Sequence, residues 1–444
     1  MKAKEVLFLI LIVAVGVFFH YAHTGKLDLD GDWEWGIFDI GVSYSFEESQ
    51  TIEAPLPARL EVHNAHGDID VWSADQEDIR LTLHKKIRRR KEAEASKVAD
   101  KLKPVVTRTG DRIIIATNRE EFKKRYFETS FTLVVPRNLD VVIENSYGTV
   151  KAAGIRSCEI VNPHGEVAVT DVEGGLIVKN SYEDVDIEGI GASCRVSAKH
   201  SDVSVRSVGG EVWVEHGYGK VIVEDASADA TVKGDHTEVA GQRIKGRVDV
   251  RTSYEKVSLR DVGPAVVNGH HSVVEAEAVA GDLKIATSYE NVWVDDIRGD
   301  LTVEGKSVEV SGKSIAAREV RITTSYEDLD LADFTGSAII SLSHGDALLT
   351  PSSLDFPIEV KNVYSTVHMF LPKGERGPIE ARSRGGEVKW GLAEPPSISQ
   401  TNGETVVKAF LDRIQRPTIV LSTSYGDIYM EEAAGPRAEK PANS

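Results

Sequence analysis

From Val141 onward apolar and polar residues alternate, and the alternation returns in phase with a single aromatic residue. Six positions before that aromatic stand Val141, Cys158, Leu176, Cys194, Val212, Ala230 and Val248. Four before it stand Ile143, Ile160, Val178, Val196, Val214, Val232 and Val250, and three after it Val150, Val167, Val185, Val203, Val221, Val239 and Val257. Period-two spacing belongs to strands with one buried face. Each unit therefore predicts a strand, a turn of three or four residues, a second strand and a second turn. Gly154, Gly174-Gly175, Gly189 and Gly209-Gly210 mark the second turn. Helical spacing is absent.

The first turn carries a cassette, seen as Asn145-Ser146-Tyr147-Gly148-Thr149-Val150, Asn162-Pro163-His164-Gly165-Glu166-Val167 and Asn180-Ser181-Tyr182-Glu183-Asp184-Val185. Later copies centre on His200, Tyr218, His236, Tyr254, His270, Tyr289, Tyr326, His344, Tyr364 and Tyr425. From His164 to Tyr254 every step is 18 residues, and Tyr alternates with His. A fixed period of this length marks a repeat architecture. One unit buries too little to fold alone, so units stack and share a core.

Before and after this run the rhythm changes. An early cassette, Asn64-Ala65-His66-Gly67-Asp68-Ile69, is followed by a strand over 79–87, a helix over 91–102 and strands over 112–116 and 129–135. Segment 51–140 is thus expected to hold a first coil and an inserted α/β cap. Segment 141–430 holds the repeats, interrupted at 391–416 by an excursion with Pro395-Pro396 and a short helical piece over 407–414. Residues 431–444 have the composition of a disordered tail. Residues 23–50 predict a linker or a strand capping the solenoid end, which needs cover.

Lys2 and Lys4 precede an apolar run over 6–22, which as a helix spans roughly 25 Å at 1.5 Å per residue. That is slightly short of a bilayer core of about 30 Å; mild thinning or the interfacial ring of Tyr21 makes up the difference. A cleaved signal peptide wants small residues one and three positions before the cut, whereas His20 precedes Ala22. The expectation is an uncleaved transmembrane anchor, 1–22, with the N-terminus cytoplasmic and the remainder outside. The localisation expected is a single-pass cell-membrane protein facing the periplasm or cell surface.

Composition narrows the function. A net charge of −18 excludes nucleic acid as a natural partner, because phosphate affinity comes from clustered Lys and Arg. The basic run Lys85-Lys86-Ile87-Arg88-Arg89-Arg90-Lys91 is taken as a solvated strand end. Two cysteines, Cys158 and Cys194, make neither a zinc ribbon nor a disulfide scaffold.

The cassettes, at this period and after the lead-in TLVVPRNLDVVIENSYGTV, resemble the bacterial putative-adhesin family of β-strand-repeat proteins, a domain of unknown function. The resemblance spans roughly residues 55 to 430. It implies an all-β fold, a parallel β-solenoid in the cell envelope, and it brings no catalytic residues. Members usually place Ser or Gly where this chain has Tyr and His, so the aromatic column is its own departure.

The alternation gives a 36-residue superperiod and two possible geometries. Coils of 18 residues put Tyr and His in one column; coils of 36 put them in two. We take the first as the expectation, with the cysteines as its test. Cys158 and Cys194 then lie two layers apart, about 9.6 Å, with Leu176 between them, too far to bridge.

No catalytic residue, cofactor or metal site is expected. His164, His200, His236, His270, His271 and His344 would stand too far apart to share a zinc or copper ion. His200-Ser201-Asp202 and Ser343-His344-Gly345-Asp346 hold the letters of a hydrolase triad, but adjacent residues point different ways. The acids Glu183, Asp184, Asp202, Glu238, Glu255, Glu290, Glu327, Asp328 and Asp346 predict a solvated edge, calcium being the sharper alternative. The candidate ligand site is the aromatic column itself: Tyr147, Tyr182, Tyr218, Tyr254, Tyr289, Tyr326 and Tyr364. Aromatics in a row suit a glycan or an extended envelope protein, or serve only to stiffen the rod. The function expected is a non-catalytic, membrane-anchored binding or scaffolding module of adhesin type. A polysaccharide-active enzyme and an envelope-stress sensor are the alternatives.

Overall fold

The structure, a computed structural model, describes residues 41–123, 126–411 and 415–433. The expected anchor 1–22, most of the linker and nearly all of the tail lie outside the described residues. Among the described residues no helix is long and apolar enough to cross a membrane.

The chain is a parallel β-solenoid, with about 13 turns of roughly 18 residues running in chain order from Asp140 to Leu371. Each coil gives one strand to each of two facing parallel sheets. Ser157–His164, Leu176–Tyr182 and Cys194–Ser197 are neighbours in the first sheet, and Val167–Val172, Val185–Ile190 and Val203–Val208 in the second. The three expected apolar columns all face inward, and one continuous core runs from Ile52 to Met430.

The cysteines settle the coil length. Leu176 pairs with Cys158 on one side and Cys194 on the other, and both thiols are free and buried. Burial raises the Cys194 thiol to about 12 and that of Cys158 further still.

A further apolar column closes the second corner: Val172, Ile190, Val208, Ala226, Ile244, Val262, Val279, Ile297, Ile315 and Phe334, all buried. Strict alternation would turn these residues outward. The residue before each of the first three, Asp171 (φ 56°), Gly189 (φ 73°) and Ser207 (φ 58°), is left-handed, and this kink shifts the phase by one.

Chain order and spatial order differ at both ends. The coil made of Arg59–His63 and Ile69–Ala74 lies between the coil starting at Asp140 and one later in sequence, Arg112–Thr117 with Phe127–Pro136. The expected α/β insertion is therefore itself part solenoid. Its remainder, Pro104–Thr109 and Ile79–Arg89, extends the two sheets antiparallel as the cap, joined by Val42–Ile52 from the segment expected as linker or capping strand. Helix α1 (Glu92–Lys101) seats Ala95 and Ala99 against Ile87, Leu102 and Phe127.

At the other end, Ile419–Thr423 and Ile428–Glu432 insert between the coil ending at Leu371 and the coil made of Ile379–Arg384 and Val388–Trp390. A hairpin of Ser397–Thr401 and Glu404–Ala409 covers that end. The helical piece expected over 407–414 is corrected where it is described, since 407–409 belong to this hairpin; 412–414 lie outside the described residues. Thr405, Val406 and Val407 are β-branched and pair with Ser383, Arg382 and Ala381 of the neighbouring strand.

Candidate functional site

The corner between the two sheets aligns one ring per layer. His66, Tyr147, His164, Tyr182, His200, Tyr218, His236, Tyr254, His271 and Tyr289 stack without a break, centroids 4.7 to 5.7 Å apart and planes within 19°. A second stack, Tyr326, His344, Tyr364 and Tyr425, follows with centroids 4.2 to 5.3 Å apart. The structure thus places all seven candidate tyrosines in one column and adds His66 and Tyr425 at its ends. It corrects one member. His271, not His270, takes the column position, because Ser253 pairs with His270 and the preceding coil is one residue short. His270 lies beside the column, tilted 54° to Tyr254.

Backbone polar groups set the corner. In the early layers a buried asparagine stands two residues before the ring. Asn162 Nδ2 donates to Gly148 O (2.9 Å) in the layer before and to Gly165 O (3.0 Å) in its own; Asn145 bonds likewise, and Asn180 donates to Gly165 O in the layer before. Gly165 is forced here, since a Cβ would meet Gly148 O at 2.0 Å.

Later layers use a two-coil device. Histidine-type layers carry glycine two before the ring and turn the residue after it inward: Gly234 with Thr237, and Gly269 with Ser272. A Cβ on Gly234 would lie 2.4 Å from Thr237 Oγ1. The tyrosine layer that follows supplies a buried threonine to clamp that residue. Thr252 Oγ1 donates to Thr237 O (2.6 Å) and accepts from Thr237 N (3.3 Å); Thr287 treats Ser272 in the same way. This pairing of unlike layers gives the later coils a two-coil repeat in their hydrogen bonds. His216 varies the theme, its Nε2 donating to Ser201 O at 2.8 Å and its Nδ1 facing Thr237 Oγ1 at 3.0 Å. Burial holds that imidazole below its ordinary range.

Stacking determines what the column presents. Ring faces are covered by their neighbours, so solvent meets ring edges: phenol hydroxyls alternating with imidazole nitrogens. The tyrosines are about half exposed, from 47% at Tyr147 to 64% at Tyr425. Successive histidines are separated by a tyrosine ring, and among the described residues no group of three or more His, Cys, Asp and Glu is placed to hold a metal.

Several of the flanking acids are structural. Asp184 Oδ1 accepts from Asp202 N, Asp202 Oδ1 from Lys220 N, and Asp328 and Asp346 repeat the pattern one layer apart. The triad letters disperse. Ser201 is buried, His200 stands in the column, and Asp202 caps the next layer.

No family model matches the chain, and no curated protein does. Two solved structures overlap it in part. One is a putative cell adhesion protein from Clostridium sporogenes, 7% identical over 88% of this chain and 100% of that one, TM-score 0.16. The other is a putative adhesin from Bacteroides fragilis, 10% identical over 60% of this chain and 97% of that one, TM-score 0.27. Overlaps of this size leave both fold and function to be argued from the residues of this chain.

Proposed function

We propose that the chain is a non-catalytic binding module of adhesin type, tethered to the cell membrane by its N-terminal apolar segment and presenting one edge of its rod to an extended partner, a glycan or an envelope protein. The observation that carries this reading is the unbroken ten-ring column from His66 to Tyr289. Its faces are spoken for by stacking, so recognition works through the edge, a line of hydroxyls and ring nitrogens repeating at about 4.8 Å per layer. Such an array suits a linear partner with its own regular hydrogen-bonding groups. The non-catalytic reading is supported by the acids along this corner, which recur at evenly repeated turn positions and in part bond to backbone.

Replacing Tyr218, Tyr254 and Tyr289 together by Phe keeps the stack and removes three hydroxyls. In a screen of glycans and cell-wall fragments against the full chain, binding should fall while melting stays within a few degrees. Unchanged binding would leave the column a stiffening device, and hydrolysis of any fragment would favour an enzyme. Carbonate extraction and protease accessibility on spheroplasts test the tether, which a readily soluble full-length chain would refute.

A further inference from the structure

The column is interrupted once between Tyr289 and Tyr326, by Ser307. Every backbone feature of a histidine layer is nevertheless present there. Ser307 has φ 54°, against 49° at His236 and 56° at His271. Gly305 stands two before it and Val308 turns inward after it, fully buried, as Thr237 and Ser272 do. Thr324 Oγ1 clamps Val308, donating to its carbonyl (2.7 Å) and accepting from its N–H (3.3 Å). Ser307 N meets Ser325 Oγ at 3.4 Å, as His236 N meets Ser253 Oγ and His271 N meets Ser288 Oγ. The corner is built for a ring, and the side chain is a hydroxymethyl.

Two layers at about 4.8 Å put the Tyr289 and Tyr326 rings roughly 9.6 Å apart, which leaves room for one planar group at ordinary stacking distance from each. The rings they already stack on, His271 at 4.9 Å and His344 at 4.8 Å, show the spacing an inserted group would adopt. Charge around the slot is unbalanced. By register Glu290, Glu309 and Glu327 stand just before the second-sheet strands of these three layers, and none forms an ion pair among the described residues; Asp328 beside them is taken up by Asp346 N. Lys306, on the opposite side, is exposed and lies over neither ring.

We propose that the gap between Tyr289 and Tyr326 over Ser307 is a binding slot for a planar cation, the guanidinium of an arginine or the imidazolium of a histidine carried by a partner polypeptide. Two tyrosine faces supply cation–π attraction, and the unpaired carboxylates supply the counter-charge. The slot uses ring faces and is independent of edge-on recognition by the rest of the column.

The test uses the full chain with 13C-labelled tyrosine rings, titrated at pH 6 with N-acetyl-argininamide, N-acetyl-histidinamide, N-acetyl-lysinamide and N-acetyl-phenylalaninamide. Resonances are assigned through Tyr289→Phe and Tyr326→Phe. The planar cations should shift Tyr289 and Tyr326 saturably, with half-saturation about fivefold or more below that of the lysine and phenylalanine amides. Ser307→His fills the slot from within the chain and should abolish the response. Tyr326→Leu, which keeps bulk and removes a π-face, should weaken it. The proposal is overturned if lysine amide performs as well as arginine amide. Equal shifts at Tyr147 and Tyr182, or a titration unchanged by Ser307→His, would also overturn it.

Discussion

At the scale of single residues, the corner works because each layer leaves room for what its neighbour turns inward. Gly234 is glycine on account of Thr237, so Gly234→Ala should cost about 1–3 kcal/mol by overpacking. Gly217→Ala, with nothing within 4 Å of its would-be Cβ, should be far milder, and denaturant midpoints of the two variants check the contrast. His216 makes a prediction about pH. Burial lowers its folded pKa below the ordinary 6.5, so the unfolded chain takes up the proton more readily. Its contribution is fully present above the unfolded value and is lost as pH falls through it, levelling off below the folded value. His66, also lowered by burial and by Arg119, adds to the same slope. Asp300 and Asp427, held low by Arg318 and Lys389, lose their contribution only below the ordinary 3.8 and leave this window alone. Melting temperature should therefore drop between pH 7.5 and 5.5, and His216→Gln should flatten the drop; an unchanged slope in that variant would remove His216 as its source.

At the scale of elements, the three alternating columns and the coil length were legible because period-two burial writes itself directly into sequence. The fourth column, Val172 to Phe334, was not. Its phase is shifted by left-handed residues of which only Gly189 is glycine and five, from Asp171 to Asp333, are Asp, and a left-handed Asp has no signature comparable to an Asn-Gly turn. The place of His271 does carry a signal in the sequence: Gly269 aligns with Gly234 and Gly305 only if His271 is the column residue. The asparagine column was visible as letters, but its hydrogen bonds between layers were not. Asn162→Ala should leave the carbonyls of Gly148 and Gly165 short of a donor and cost about 1–3 kcal/mol. Because stability in a stacked rod is largely nearest-neighbour, hydrogen exchange should rise around 140–190 and stay unchanged beyond 250. A uniform rise along the rod would mean that the coils unfold as one unit.

At the scale of the whole molecule, periodicity shows which residues form coils and does not show in which order the coils lie. The coil from Arg112 to Pro136 went unrecognised because its column position is Glu128, with no cassette around it, and its neighbours are assigned by pairings across more than forty residues. The same holds at the far end, where the last coil in sequence occupies a middle position. Its consequence is a rod whose terminus is held from both sides. In a solenoid built in chain order, removing the final coil exposes one neighbour and frays one end. Here, ending the chain at Arg416 removes 419–432 from between the coil ending at Leu371 and the one starting at Ile379, and separates the hairpin-capped end from the body. Exchange protection should then collapse throughout 379–409, although none of those residues is deleted, and weaken in 358–371. Protection surviving across 379–409 would mean that this end folds as a unit on its own and that the inserted coil merely decorates it.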